Sequence, residues 1–253
     1  MPSSKLLILI AVFFFTSLVS VVTGSTSLIT VPTMIALGIE THVAIATNML
    51  ALTFMSVGGS LSFAGKGVIH RKRLPLSLVV AALGSMTGAL ILVRVPVVAL
   101  QITVAVAMMA AVVFSLIRRD FGFSGQGRNV SPASAAGGYV VAFLLAIYGG
   151  FFGGGYVTML TAAFILLFGM KFLESVATTK VVNIVSSGVA TLVFLRNGIA
   201  DVKLGILLGM VMFVGALLGG RISMKLSPVW LQRIFITAVL GLALRMLWFA
   251  AAH

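Results

Sequence analysis

The stretch YGGFFGGGYVTMLTAAFILLFG, Tyr148 to Gly169, places five glycines in its first eight residues and then runs apolar without one charge. Glycine disfavours helix more than any residue except proline, and three in a row at Gly153, Gly154 and Gly155 predict a chain break. The apolar piece after it, 156–169, supplies about 21 Å of helix, short of a hydrocarbon core about 30 Å thick. A break lying against so membrane-like a segment needs a protein that can use it.

The whole chain points to a membrane. Of its 253 residues 60% are hydrophobic and 8% charged, with a mean hydropathy of +1.23, which excludes a soluble domain of this length. Apolar runs near 5–23, 42–63, 74–93, 97–117, 133–149, 172–195, 203–221 and 229–249 give eight candidate spans. Two pieces, 25–39 and 156–169, are too short for an untilted crossing. The net charge of +13 sits in short loops, chiefly KGVIHRKR at 66–73 and RRDFGFSGQGR at 118–128. These read as cytoplasmic loops rather than as a nucleic-acid surface, since no basic stripe interleaved with aromatics is present. Without cysteine, disulfides and thiolate sites are excluded. Lys5 and LLILIAVFFF resemble a secretory leader, but TSLVSVVTGS offers no convincing cleavage site, so a retained first helix is expected.

The chain also repeats itself. Gly24 aligns with Gly155 (155 − 24 = 131), and the same offset pairs Gly38 with Gly169, Ala46-Thr47 with Ala177-Thr178, Ser56 with Ser187, Gly67 with Gly198, Gly84 with Gly215 and Gly88 with Gly219. The expected fold is an all-α polytopic membrane protein of two tandem homologous repeats. Residues 1–121 form the first repeat, 122–132 a polar linker and 133–253 the second. Each repeat holds about four transmembrane helices and a short glycine-broken, re-entrant half-helix. Re-entry makes the repeats parallel; a short segment that crosses makes them inverted, and loop charge is compatible with either. Gly84/Gly88 and Gly215/Gly219, four apart inside long spans, read as close-packing positions. Duplicated halves with corresponding broken segments point to a secondary transporter with its site near the midplane. A half-helix opening after a glycine offers amides and a positive dipole end to an anion.

Polar residues inside the spans are few. Lys180, in ATTKVVN, is an intramembrane lysine and hence a candidate site residue, with snorkelling as the plain alternative. Asn183, Thr179 and Ser187 extend its helical face, Thr178 adjoins it, and Thr47, Asn48 and Ser56 hold the matching places in the first half, where Met49 replaces the lysine. Asp120 and Asp201 fall in loops, while Glu174 and His42 are the titratable groups available for proton coupling.

These residues resemble the sulfite exporter TauE/SafE family of membrane transporters. TGSTSLITVPTMIALGIETHVAIATNML carries the first copy of its glycine-then-proline and alanine-threonine pattern, with Pro32 in place, and GGFFGGGYVTMLTAAFILLFGMKFLESVATTKVV carries the second. Two departures stand out: Ala163 occupies the place of Pro32, and Met49 a place where many members carry lysine. The resemblance implies a carrier of a small anion such as sulfite or an organosulfonate, exported across the bacterial inner membrane. An anion channel, or a carrier of another organic acid or phosphonate, is the alternative. The substrate-binding set then comprises Gly24, Ser25, Ser27, Thr47, Asn48, Gly153, Gly154, Gly155, Thr158, Thr178, Thr179, Lys180, Asn183 and Ser187. The expected partners are the anion and the bilayer, with no nucleic acid, and a homodimer is left open. No cofactor or metal is expected, because no cluster has ligand spacing, and nothing suggests an enzyme.

Overall fold

The computed structural model describes residues 3–23, 26–106 and 130–222. Gly24, Ser25, nearly all of the linker, the end of the 97–117 span and the whole 229–249 span lie outside them. Among the described residues the chain forms nine helices: α1 (Ser3–Thr23), α2 (Ser27–Ala36), α3 (Thr41–Leu61), α4 (Leu74–Arg94), α5 (Val97–Val106), α6 (Pro132–Phe151), α7 (Tyr156–Phe168), α8 (Phe172–Arg196) and α9 (Val202–Ile222). Five of them, α3, α4, α6, α8 and α9, are long and apolar enough to cross a membrane. The protein is therefore a multi-pass membrane protein, and its described residues are helices and their connections.

Local chemistry sets the helix starts. The Glu40 carboxylate accepts from the Val43 amide at 3.0 Å to open α3, and Ser131 accepts from the Ser134 amide at 3.2 Å, ahead of Pro132, to open α6. At the head of α8, Glu174 reaches back to the Lys171 amide at 3.2 Å. Gly155 and Gly169 bound α7 with φ of 78° and 67°, a backbone region where only glycine is unstrained.

Each short helix is the returning leg of a hairpin. Lys5 Nζ, at the start of α1, donates to the Leu37 carbonyl just beyond α2 at 2.8 Å. Ser134 Oγ, at the start of α6, donates to the Leu167 carbonyl at the end of α7 at 3.0 Å. The expectation of a re-entrant segment that dips back on the far side of a full span is thus corrected: α2 and α7 return the chain to the face from which α1 and α6 set out. A helix of 10 or 13 residues suffices because its first turn is buried among other helices. Thr26, just before α2, bonds to Met55, well inside α3.

The consequence is opposite directions in the two halves. Ser56 pairs with Asn183 at 2.6 Å and Thr53 with Ser187 at 3.1 Å, so α3 and α8 cross antiparallel. The parallel arrangement favoured from segment length is corrected with it. One face of the molecule, called the first, holds the starts of α1 and α3 and the end of α4, where His42 meets the Val95 carbonyl at 3.0 Å. The second face holds the α3–α4 loop and the start of α8, where the His70 amide meets Thr178.

Small residues let these helices close. Leu50 lies against Gly205, Phe54 against Gly209 and Gly58 against Phe213, while Ser62 Oγ donates to the Leu217 carbonyl at 3.2 Å. This ladder steps by four residues along parallel α3 and α9. Gly84 and Gly88 seat α4 on α6, and Gly215 and Gly219 seat α9 on α1, each against a backbone carbonyl. Replacing Gly88 by alanine would drive a methyl into the Ile147 carbonyl. We expect Gly88→Ala to cost about 1–3 kcal/mol and to lower the melting temperature in detergent. Gly137→Ala, in open space on α6, should leave it unchanged or higher, and equal melting of the two variants would contradict the packing.

Candidate functional site: a buried lysine where two helix breaks meet

The polar residues of α3 and α8 are withdrawn from lipid. Thr47, Asn48, Thr178 and Thr179 are fully buried and Lys180 is 2% exposed. Lys180 sits eight residues into α8 (180 − 172 = 8), about 12 Å along its axis. Its stem runs along Gly59, where an added methyl would only just touch the lysine Cδ, at 3.4 Å. The side chain is thus buried among helices rather than on their lipid-facing surface.

Lys180 lines a cavity between the two breaks. Thr26 and Ser27 contribute from the head of α2, Gly153 and Val157 from the head of α7, Leu52 and Met55 from α3, and Lys180 and Asn183 from α8. The cavity is small, with room for about one water.

Hydrogen bonds hold the two break ends in register. Asn48 Nδ2 donates to Ser27 Oγ at 2.9 Å, and Thr30 Oγ donates to Asn48 Oδ1 at 2.7 Å. In the second half Thr161 Oγ donates to Thr179 Oγ at 3.3 Å, the same pair displaced by 161 − 30 = 131 and 179 − 48 = 131. Tyr148 Oη donates to the Gly154 carbonyl at 2.6 Å and pins the second break. Gly153 has φ 77° and Gly155 φ 78°, so the triplet is a true interruption rather than a packing surface. Leu28, in the first turn of α2, packs on Gly154 and Gly155, which brings the two breaks side by side.

The alanine-threonine pairs do something else. Thr47 Oγ accepts from the Asp201 amide, and Thr178 Oγ accepts from the His70 amide, each at 3.0 Å. Each threonine therefore ties a helix of one half to a loop of the other, Thr47 toward the first face and Thr178 toward the second. The two brackets correspond at the same offset, 178 − 47 = 131 and 201 − 70 = 131.

Of the residues singled out from sequence, the fold brings Ser27, Gly153, Lys180 and Asn183 to the cavity, with Asn48 behind Ser27 and Gly154 and Gly155 beside Leu28. Thr47 and Thr178 are brackets, Thr179 bonds within its helix to the Ser175 carbonyl at 2.7 Å, and Ser187 bonds to Thr53 and the Asn183 carbonyl. Thr158 is partly buried on α7, away from the cavity lining. Glu174 caps α8 and lies 3.9 Å from His70, and His42 bonds Glu40 at 3.0 Å. These two titratable groups occupy opposite faces and neither reaches the cavity. Thr26, Leu52, Met55 and Val157 were missed. Thr26 adjoins Ser27 in the break and was legible there, whereas the apolar three look like ordinary core.

The sequence matches a known family over most of its length: the family model described as "Sulfite exporter TauE/SafE" covers residues 9–246. The chain belongs to the sulfite exporter TauE/SafE family. Similar proteins carry transporter names. "Probable membrane transporter protein ORF9" of Sinorhizobium sp is 29% identical over 235 residues, 92% of this chain and 89% of that one. "Probable membrane transporter protein YfcA" of Escherichia coli K12 is 27% identical over 225 residues, 87% and 81% of the two chains. A Haemophilus influenzae "Probable membrane transporter protein" is 27% identical over 221 residues, 87% and 84%. No solved structure matches. The chain is thus a membrane transporter of the TauE/SafE family.

The brackets make a local prediction. Thr178→Val removes the acceptor of the His70 amide, and Thr47→Val that of the Asp201 amide, each costing about 1 kcal/mol. Hydrogen exchange should quicken at residue 70 alone in the first variant and at residue 201 alone in the second. Unchanged exchange at both would remove the brackets from the account.

Proposed function

We propose that this TauE/SafE transporter is an alternating-access carrier in the bacterial inner membrane that exports a small anion, sulfite or an organosulfonate. The observation that carries the reading is Lys180, buried eight residues into α8 in a cavity lined from the heads of both α2 and α7. An intramembrane cation is costly and is retained where it serves an anion or a partner. The α2 and α7 heads add dipole ends directed at the same place. Thr26 Oγ, buried there, donates to the Met55 thioether at 3.4 Å. Thioether sulfur is a weak acceptor that an anion oxygen readily displaces.

The equal-offset hydrogen bonds support reading residues 1–121 and 133–253 as two repeats joined by a linker at 122–132, and the antiparallel α3 and α8 support an inverted relation between them. Inverted repeats with broken helices at their interface are the usual frame for exchange of access between two faces. The second face carries Lys66, Arg71, Lys72, Arg73, Lys171 and Arg221, against Lys5, Arg94, Arg196 and Lys203 on the first. The second face is accordingly assigned to the cytoplasm.

The test is efflux of sulfite and organosulfonates from proteoliposomes. Wild type should show saturable efflux with counterflow, and Lys180→Met should lose at least about tenfold in rate while keeping its elution profile and melting temperature. A folded Lys180→Met that transports at the wild-type rate would overturn the lysine's role. Flux that neither saturates nor supports counterflow would replace the carrier by a channel.

A further inference from the structure

His42 stands at the first face, in the opening turn of α3, with a partner on each ring nitrogen. Nδ1 lies 3.0 Å from Glu40 Oε1, and Nε2 lies 3.0 Å from the Val95 carbonyl oxygen. A carbonyl oxygen only accepts, and so does an ionised carboxylate. Both contacts are therefore hydrogen bonds at once only when both nitrogens carry protons, in the imidazolium. A neutral ring keeps one proton and turns a lone pair toward one of the two oxygens.

The surroundings decide how firmly the second proton is held. Glu40 Oε2 accepts from the Val43 amide at 3.0 Å while Oε1 faces the ring. Partial burial pushes the Glu40 carboxyl up, but its bonds with the His42 ring and with the His42 and Val43 amides bring it below its ordinary value. It is thus ionised throughout the range in which imidazole titrates. The Val95 carbonyl lies at the C-terminal end of α4, where the helix dipole attracts a cation. Against the proton stand the positive end of α3 itself and Arg94, in the last turn of α4. Of the other charged groups described at this face, Lys5 donates to the Leu37 carbonyl and Asp201 accepts from the Leu204 amide. Arg196 and Lys203 stand at the end of α8 and the start of α9.

The ring joins the head of α3 to the junction of α4 and α5. Gln101 of α5 adds a long contact to Thr41 at 3.5 Å, and Thr47, five residues beyond His42 (47 − 42 = 5), carries the bracket to Asp201. The matching places in the second half hold Leu173 (42 + 131 = 173) and Lys171 (40 + 131 = 171), which cannot repeat the arrangement. On that second face the buried His70 Nδ1 has no partner and Nε2 lies 3.9 Å from Glu174, beyond hydrogen-bond reach.

We propose that His42 is a pH-operated tie on the first face: protonation fastens the head of α3 to the α4–α5 junction, and loss of the proton releases it. The tie is made as pH falls through the imidazole range, about 6.5 for a free ring, and is lost as pH rises. At the acid end it lasts until Glu40 takes up a proton. Since α3 carries Leu52 and Met55 to the cavity, acid at the first face would restrain access from that face, a consequence that rests on the carrier reading.

Hydrogen exchange, corrected for the intrinsic effect of pH, tests the tie at about pH 5.5 and about pH 8, on either side of the imidazole range. The full chain is examined in detergent without substrate, as wild type, His42→Gln and His70→Gln. Segments 40–45 and 94–100 should exchange at least about threefold faster at the higher pH in wild type and in His70→Gln, the effect of one charged bond discounted for partial exposure. In His42→Gln the two rates should be equal. Equal corrected rates in wild type, or a rise that survives in His42→Gln, overturn the tie. Neither result touches the carrier reading, because no anion is moved. Should His42→Gln fail to fold, the nitrogen-15 shifts of the three wild-type histidines, assigned with His70→Gln and His253→Gln, decide the question. Two ring protons on His42 at the lower pH and one at the higher are expected, and a ring in the same state at both overturns the proposal.

Discussion

A helix interrupted inside a membrane leaves backbone amides and carbonyls that lipid cannot satisfy, and everything else in this protein follows from hiding two such interruptions. The break before α7 is held by Tyr148 on the Gly154 carbonyl, and the head of α2 by Ser27 and Thr30 on Asn48. Both are covered by α3 and α8, the two described spans with the largest buried share. Shielding requires close approach, which explains why glycines stand at the contacts of α4 with α6 and of α9 with α1. The shield also creates a protein-lined interior, and only there can a lysine reside 12 Å down a helix.

The same arrangement joins the two halves. Each half is tied to the other by a threonine hydroxyl receiving a loop amide, at Thr47 for the first face and Thr178 for the second. Both brackets are made in the structure, one toward each face.

Much of this was legible in the chain, and the limits were physical. Span positions could be read because apolar runs of about 20 residues have few alternatives in so hydrophobic a sequence. The Gly153-Gly154-Gly155 break could be read because helix tolerates such a run poorly. The direction of α2 and α7 could not. Length alone argued for re-entry, and only the contacts of Lys5 with Leu37 and Ser134 with Leu167 show hairpins that close on their own starting face. The site was half legible: Lys180, Asn183, Ser27 and Gly153 are conspicuous polar or glycine positions in apolar sequence. Thr47 and Thr178 looked equally suitable, yet their hydroxyls serve a loop in the opposite half, a partner 154 or 108 residues away. Leu52, Met55 and Val157 carry no signal separating a site wall from core.

The central claim, that the space between the two breaks is where the anion sits, is most directly tested by thiol accessibility, for which the cysteine-free chain is a natural background. A single cysteine replacing Ser27 would be exposed to a membrane-impermeant thiol reagent with and without a transported anion at saturating concentration. The account predicts slow labelling through the aqueous phase, slowed further, about tenfold or more, by the anion occupying the cavity. Labelling that proceeds at the same rate with every anion the protein transports would place the substrate elsewhere and contradict it.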